Sequence, residues 1–112
     1  MELTSCAEQD CQAVDARLTT AYKAAVAVMK QVDANLAIAD QGAALALRDG
    51  ERGWIVYRDA NCAAEAWAFH GGSAEPVVIH VCRARVTAAR ADELETMAKA
   101  DQPGCVNPAS AA

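Results

Sequence analysis

Residues Trp54–Cys82, WIVYRDANCAAEAWAFHGGSAEPVVIHVC, decide the fold. Two apolar-periodic segments flank Gly71-Gly72-Ser73, and each carries one cysteine at a similar distance from that turn. If both segments are helices folded back on each other, a rise of ~1.5 Å per residue sets Cys62 and Cys82 each about 13–15 Å from the turn. The two sulfurs then stand level and can face. Gly71 suits the left-handed end of a helix, Ser73 the N-cap of the next, and Glu75-Pro76 its first turn. The stretch reads as a disulfide-stapled helical hairpin.

Helical patterning continues on both sides of this stretch. Upstream, Leu18, Tyr22, Ala25, Met29, Val32 and Leu36 alternate steps of three and four, the spacing of one helical stripe. This first helix is expected from near Cys6 or Glu8 to about Leu36, capped by Thr4 or Ser5, with Glu8, Asp10 and Asp15 near its positive end. Asp33 to Gly42 is a connection, and Asp40 is placed to cap a short helix from Gln41 to Leu47. Gly50 and Gly53 make residues 48–53 a kink or a break, because glycine costs about 1 kcal/mol against alanine in a helix interior. From Trp54 to His70 a second helix shows Trp54, Tyr57, Asn61, Ala64 and Ala68 on one stripe. A third runs to about Ala100, with Val78, Cys82, Val86, Ala89, Leu94 and Met97 inward, and Pro103-Gly104 ends it. The expected architecture is all-α: an up-down-up bundle of three main helices plus a short one. Residues 1–101 form its single domain, and residues 102–112 a flexible tail.

Composition narrows the class. At 112 residues there is room for one modest core, and alanine, the best helix former, is the commonest residue. A net charge of −5 argues against nucleic acid, where a basic footprint is needed. No apolar run approaches the ~18 residues of a membrane span. Five cysteines without a CxxC or a zinc-finger spacing suit an oxidising compartment, so the chain is expected in the periplasm or outside the cell, as a mature form. Cys62–Cys82 is the favoured disulfide. Cys6, Cys11 and Cys105 remain with pairing open, and a competing arrangement joins Cys6 to Cys62 or Cys82. Cys6 and Cys11 are five apart on one helix and point apart. An odd total leaves at least one cysteine without an intrachain partner.

Three blocks recur in order: W-x-x-Y-R-D-x-x-C (Trp54, Tyr57, Arg58, Asp59, Cys62), G-G-S-x-x-P (Gly71, Gly72, Ser73, Pro76), then Cys82 with Thr87, Arg90, Glu93 and Leu94. This pattern, over roughly residues 5–96, resembles the lysozyme inhibitor LprI-like family of small secreted bacterial domains. The resemblance implies an exported, all-helical, disulfide-held domain. One branch of the family is described as inhibiting lysozyme.

Residue by residue, a binding role is favoured over catalysis. No Ser/His/Asp or Cys/His set and no phosphate-cradling glycine loop stands out, so the chain is read as a non-enzyme without a cofactor. Tyr57, Arg58 and Asp59 read as a structural network, with Arg58 and Asp59 tying their helix to a neighbour such as Arg90 or Glu93. His70 and His80 read as solvated histidines near helix ends, short of a metal site. The turn at Gly72, Ser73 and Glu75 is the candidate partner-binding surface, pre-organised by the nearby crosslink. The acidic first turns of helix one are a second candidate. The expected partner is a basic lysozyme-type muramidase, steered by opposite charge and blocked by occlusion, with the chain a monomer or weak dimer. The alternative is an envelope-associated structural domain without inhibitory activity.

Overall fold

A computed structural model describes the backbone of residues 2–99, with side chains placed for residue 9 and residues 11–99. Three helices form there and no strand: α1 over Glu2–Ala34, α2 over Ala43–Ala66 and α3 over Glu75–Met97. Short 3-10 turns at Ile38–Asp40 and Trp67–Phe69 bend the connections. Helix α1 already includes Thr4 and Ser5, so neither marks its start. The side chain of Cys6, all of Cys105 and the expected tail lie outside the described residues.

Helix α1 packs chiefly on α3, with α2 returning antiparallel between them in sequence. The order is therefore up-down-up. Ala21 and Ala25 of α1, Leu47 of α2, and Ala91 and Leu94 of α3 form the larger buried cluster. Alanines at the α1–α3 seam let the two backbones approach closely. Leu18, Tyr22, Val26, Met29 and Met97 close around the cluster. Full burial of a leucine such as Leu94 is worth about 2 kcal/mol. The α1 stripe outruns its support: Val32 and Leu36, beyond Met29, are exposed. Cys62, Cys82 and Val86 form a second buried cluster, with Trp54 packed against it.

The chain between α1 and α2 is held by a residue read only as part of a connection. Asp33 Oδ1 accepts hydrogen bonds from the amides of Gly42 (2.9 Å) and Ala43 (2.8 Å), and Oδ2 from that of Ala44 (3.1 Å). These amides open α2 and would otherwise lack intrahelical partners. A carboxylate there also meets the positive end of the helix dipole. The amides of Gly42, Ala43 and Ala44 hold the Asp33 carboxyl below its ordinary range. Asp40 lies in the 3-10 turn before α2 and caps no short helix, for Gly42 is the N-cap.

Helix α2 runs through residues 48–53 without the expected break, and the separate short helix is absorbed into its start. Gly50 and Gly53 have open space where a Cβ would stand, and Leu47 before them and Trp54 after them, each packed on a buried cluster, hold the helix across them. The inward face of α2 also differs from the expected stripe. Leu47, Cys62 and Ala66 are buried, whereas Tyr57, Ala64 and Ala68 are exposed. On α3 Ala89 likewise faces out, and Thr87 and Ala91 face in. Alanine supplies little hydrophobic contrast, so several faces of these helices look alike in sequence.

Candidate functional site

The hairpin end of the molecule is built from Cys62 upward. Cys62 and Cys82 are bonded, with Cα atoms 5.5 Å apart, as the level spacing requires. Both are buried. Asn61 Nδ2 and an Arg85 nitrogen approach Cys82 Sγ at 3.9 and 3.6 Å. Arg85 also donates to both oxygens of Glu65, at 2.6 and 2.7 Å. That pairing, with a hydrogen bond from Asn61, lowers the Glu65 pKa.

Above the crosslink α2 ends at Ala66, and Trp67–Phe69 tighten into a 3-10 turn. Gly71 then takes φ +82, a conformation open to glycine at no steric cost. The Gly72 amide donates to Phe69 O at 2.8 Å, and a Cβ on Gly72 would lie 3.2 Å from that oxygen. Glu75 closes the turn: Oε1 accepts from the Gly71 amide and Oε2 from His70 Nδ1, both at 3.0 Å. The Gly71 amide, then His70, lower the Glu75 pKa. The His70 ring stacks on Trp67, centroids 3.9 Å apart and planes 16° from parallel. The result is a turn fixed at its base by sulfur and at its crest by a carboxylate. It presents Trp67, 61% exposed, and Phe69, 46% exposed.

The sequence named Gly72, Ser73 and Glu75 here, and they do share the turn. Ser73 makes no cap; Ala74 is the N-cap of α3, without a side-chain hydrogen bond, and Pro76 lies in its first turn. Trp67 and Phe69 were missed as surface residues. Two aromatic residues one helical end before a Gly-Gly pair were the available signal.

Several of the remaining motif residues make polar contacts within the chain. Arg58 is largely covered, stacks over Trp54 at 5.2 Å and donates to Asp59 at 2.9 Å. Asp59 faces Arg83 of α3 at 4.0 Å, and not Arg90 or Glu93. Arg90 instead donates to Glu51 of α2 at 2.9 Å and to Glu93 at 3.0 Å. Burial alone would lower the Arg90 pKa, but its bonds to Glu51 and Glu93 prevail and raise it. Tyr57 is exposed. Arg17 bridges α1 to Asp92 and Glu95 of α3.

His80 does not belong to the turn's surface. Its carbonyl accepts from Cys11 Sγ at 2.9 Å, on the α1 side. Of the acidic first turns of α1, Asp15 is exposed, while the side chains of Glu8 and Asp10 lie outside the described residues. Among the described residues, no group of three or more His, Cys, Asp or Glu converges to hold a metal. No described helix is long and apolar enough to cross a membrane.

Comparison with known proteins gives three findings. An uncharacterized protein of Rhizobium meliloti (strain 1021) is 39% identical over 100 residues, covering 87% of this chain and 72% of that protein. No solved structure matches. The family described as lysozyme inhibitor LprI matches residues 1–94, which take in all three helices almost to the end of α3, and the chain belongs to that family.

Proposed function

We propose that this chain is an exported binding protein that inhibits a lysozyme-type muramidase by covering it, without chemistry of its own. Family membership carries the reading. Muramidases of this kind cut a glycosidic bond with a pair of carboxyl groups flanking it. An inhibitor therefore needs only to keep the glycan from reaching that pair. The turn at Gly72, Ser73 and Glu75, with Trp67 and Phe69 beside it, is the contact surface. Aromatic anchors are over-represented among residues that dominate binding energy. A turn already fixed by Glu75 and by Cys62–Cys82 also loses little freedom on docking. The net charge of −5 favours a basic muramidase through long-range steering.

The test is lysis of a cell-wall suspension by a basic muramidase with the protein added at low salt. Lysis is expected to fall in a dose-dependent way and to recover in part as salt screens the steering. Trp67→Ala and Phe69→Ala are expected to weaken inhibition by roughly tenfold or more. Unchanged lysis at about tenfold molar excess overturns the reading for that enzyme.

A further inference from the structure

The outward face of α2 carries a pattern that the monomer does not explain. Val56 is 69% exposed and Tyr57 57%, and Ala60, Ala63 and Ala64 are exposed between them and Trp67. From Gly53 to Trp67 this face presents no charged side chain over roughly 21 Å. Arg52 and Asp59 lie off to one side of it. Gly53 stands on the same face with nothing within 4 Å of where its Cβ would be. Glycine is a poor choice for a helix interior, and among the described residues no contact calls for it there.

Two-fold symmetry supplies the missing contact. Consider a second copy of α2 laid antiparallel, with the axis passing at Ala60. Residues equally far from Ala60 in opposite directions then meet. Trp67 comes to the level of the other copy's Gly53, Val56 to Ala64, and Tyr57 to Ala63, with Ala60 against itself. At every level but the central one a bulky side chain meets a small one, and the largest, the indole, meets the residue with no side chain. The ends match in net charge as well. At one end Arg48 and Asp49 pair with each other at 3.3 Å, which leaves Arg52 as the net charge there. At the other, beyond Trp67, Glu75 is held at His70 and Gly71. Antiparallel pairing brings these opposite charges to one end. Among the described residues Arg52 has no ion-pair partner, so it is available for that role.

We infer that the outer face of α2 is a self-association surface, on which two copies of this chain pair antiparallel about Ala60 with Trp67 seated over Gly53. One helix face buries on the order of 500 Å² per copy, about 1,000 Å² in total, the low end for a specific interface. The dimer is therefore weak and exchanges with monomer. Because it covers Trp67, it competes with any partner that docks at the hairpin turn. The pairing itself does not depend on what that partner is.

Sedimentation of the full chain from about 1 µM to about 1 mM, without any muramidase, tests it. Intact mass under non-reducing conditions confirms that the species is not joined by stray disulfides. A reversible monomer–dimer equilibrium is expected. Gly53→Lys fills the notch and should raise the dissociation constant at least ~30-fold while leaving melting unchanged or higher, since lysine is the better helix former. Trp67→Ala should do the same from the other side of the contact. Ala60→Cys should yield, under mild oxidation, a peptide joined to its own copy through the two introduced thiols. Ala27→Cys, on exposed α1 surface, should yield no such self-crosslink. A chain that stays monomeric throughout, a dimer indifferent to Gly53→Lys and Trp67→Ala, or absence of the self-crosslink in Ala60→Cys each overturns the assignment.

Discussion

Replacing Cys62 and Cys82 together by alanine should cost about 3–4 kcal/mol of stability. The two residues are 20 apart in sequence. For a loop of that length the chain-entropy relation gives roughly 11 cal/mol/K, or ~3.3 kcal/mol at 25 °C. Both cysteines are buried beside Val86, so loss of the sulfurs adds a small packing deficit of up to about 1 kcal/mol. For a domain of this size, the sum corresponds to a fall in melting temperature of roughly 15–25 °C. The assay is circular dichroism at 222 nm through thermal and urea unfolding. The native helical signal should survive at low temperature, because the Ala21–Leu94 cluster does not include the sulfurs. The urea m-value should rise, since the uncrosslinked unfolded chain exposes more surface. A loss of less than about 5 °C would refute the reasoning, showing that packing alone sets the hairpin.

Gly50→Ala should stabilise α2 by up to about 1 kcal/mol, read as a higher urea midpoint, because a Cβ there meets open space. Asp33 has its pKa depressed by folding, so its contribution is fully present above the ordinary carboxylate value of ~3.9 and is lost as pH falls through the lower folded value. Asp33→Asn should flatten the acid limb of a stability-against-pH curve, which is measured by urea midpoints between neutral and strongly acidic pH. Arg90→Ala should cost roughly 3 kcal/mol, more than Glu93→Gln, because it leaves the largely covered Glu51 carboxylate without its cation. Chemical denaturation of both variants decides the order.

How far the fold was legible depended on which residues carried contrast. Cys62, Cys82 and Gly71-Gly72 have few structural uses, and their spacing alone set the hairpin and its crosslink. The stripe from Leu18 to Met29 was also legible, because large apolar residues interrupt a polar background. Helix α2 was not. Alanines on every side left the inward face undetermined, and the stripe through Tyr57 and Ala64 did not mark it. The break expected at Gly50 and Gly53 failed because propensity is a weak prior against packing, with Leu47 held in one cluster before the glycines and Trp54 and Cys62 in another after them. The Asp33 clamp joins residues about ten apart across a bend, and no local pattern announces it. At the candidate site, Gly72 and Glu75 were visible as turn residues. Trp67 and Phe69 were not singled out, because aromatics at the end of an amphipathic segment carry no signal of their own exposure.

The pairing of α1 with α3 has a consequence for how the chain is made. Arg17 reaches Glu95 across 78 intervening steps of sequence, and the larger apolar cluster likewise joins the earliest and latest helices. A polypeptide emerging from its N-terminus exposes the Leu18–Met29 stripe long before anything exists to cover it. The hairpin can close locally, but the domain is complete when its final segment arrives. Biogenesis is therefore a race between that arrival and adhesion to other nascent chains, and truncations that spare the turn but trim α3 should be lost to aggregation.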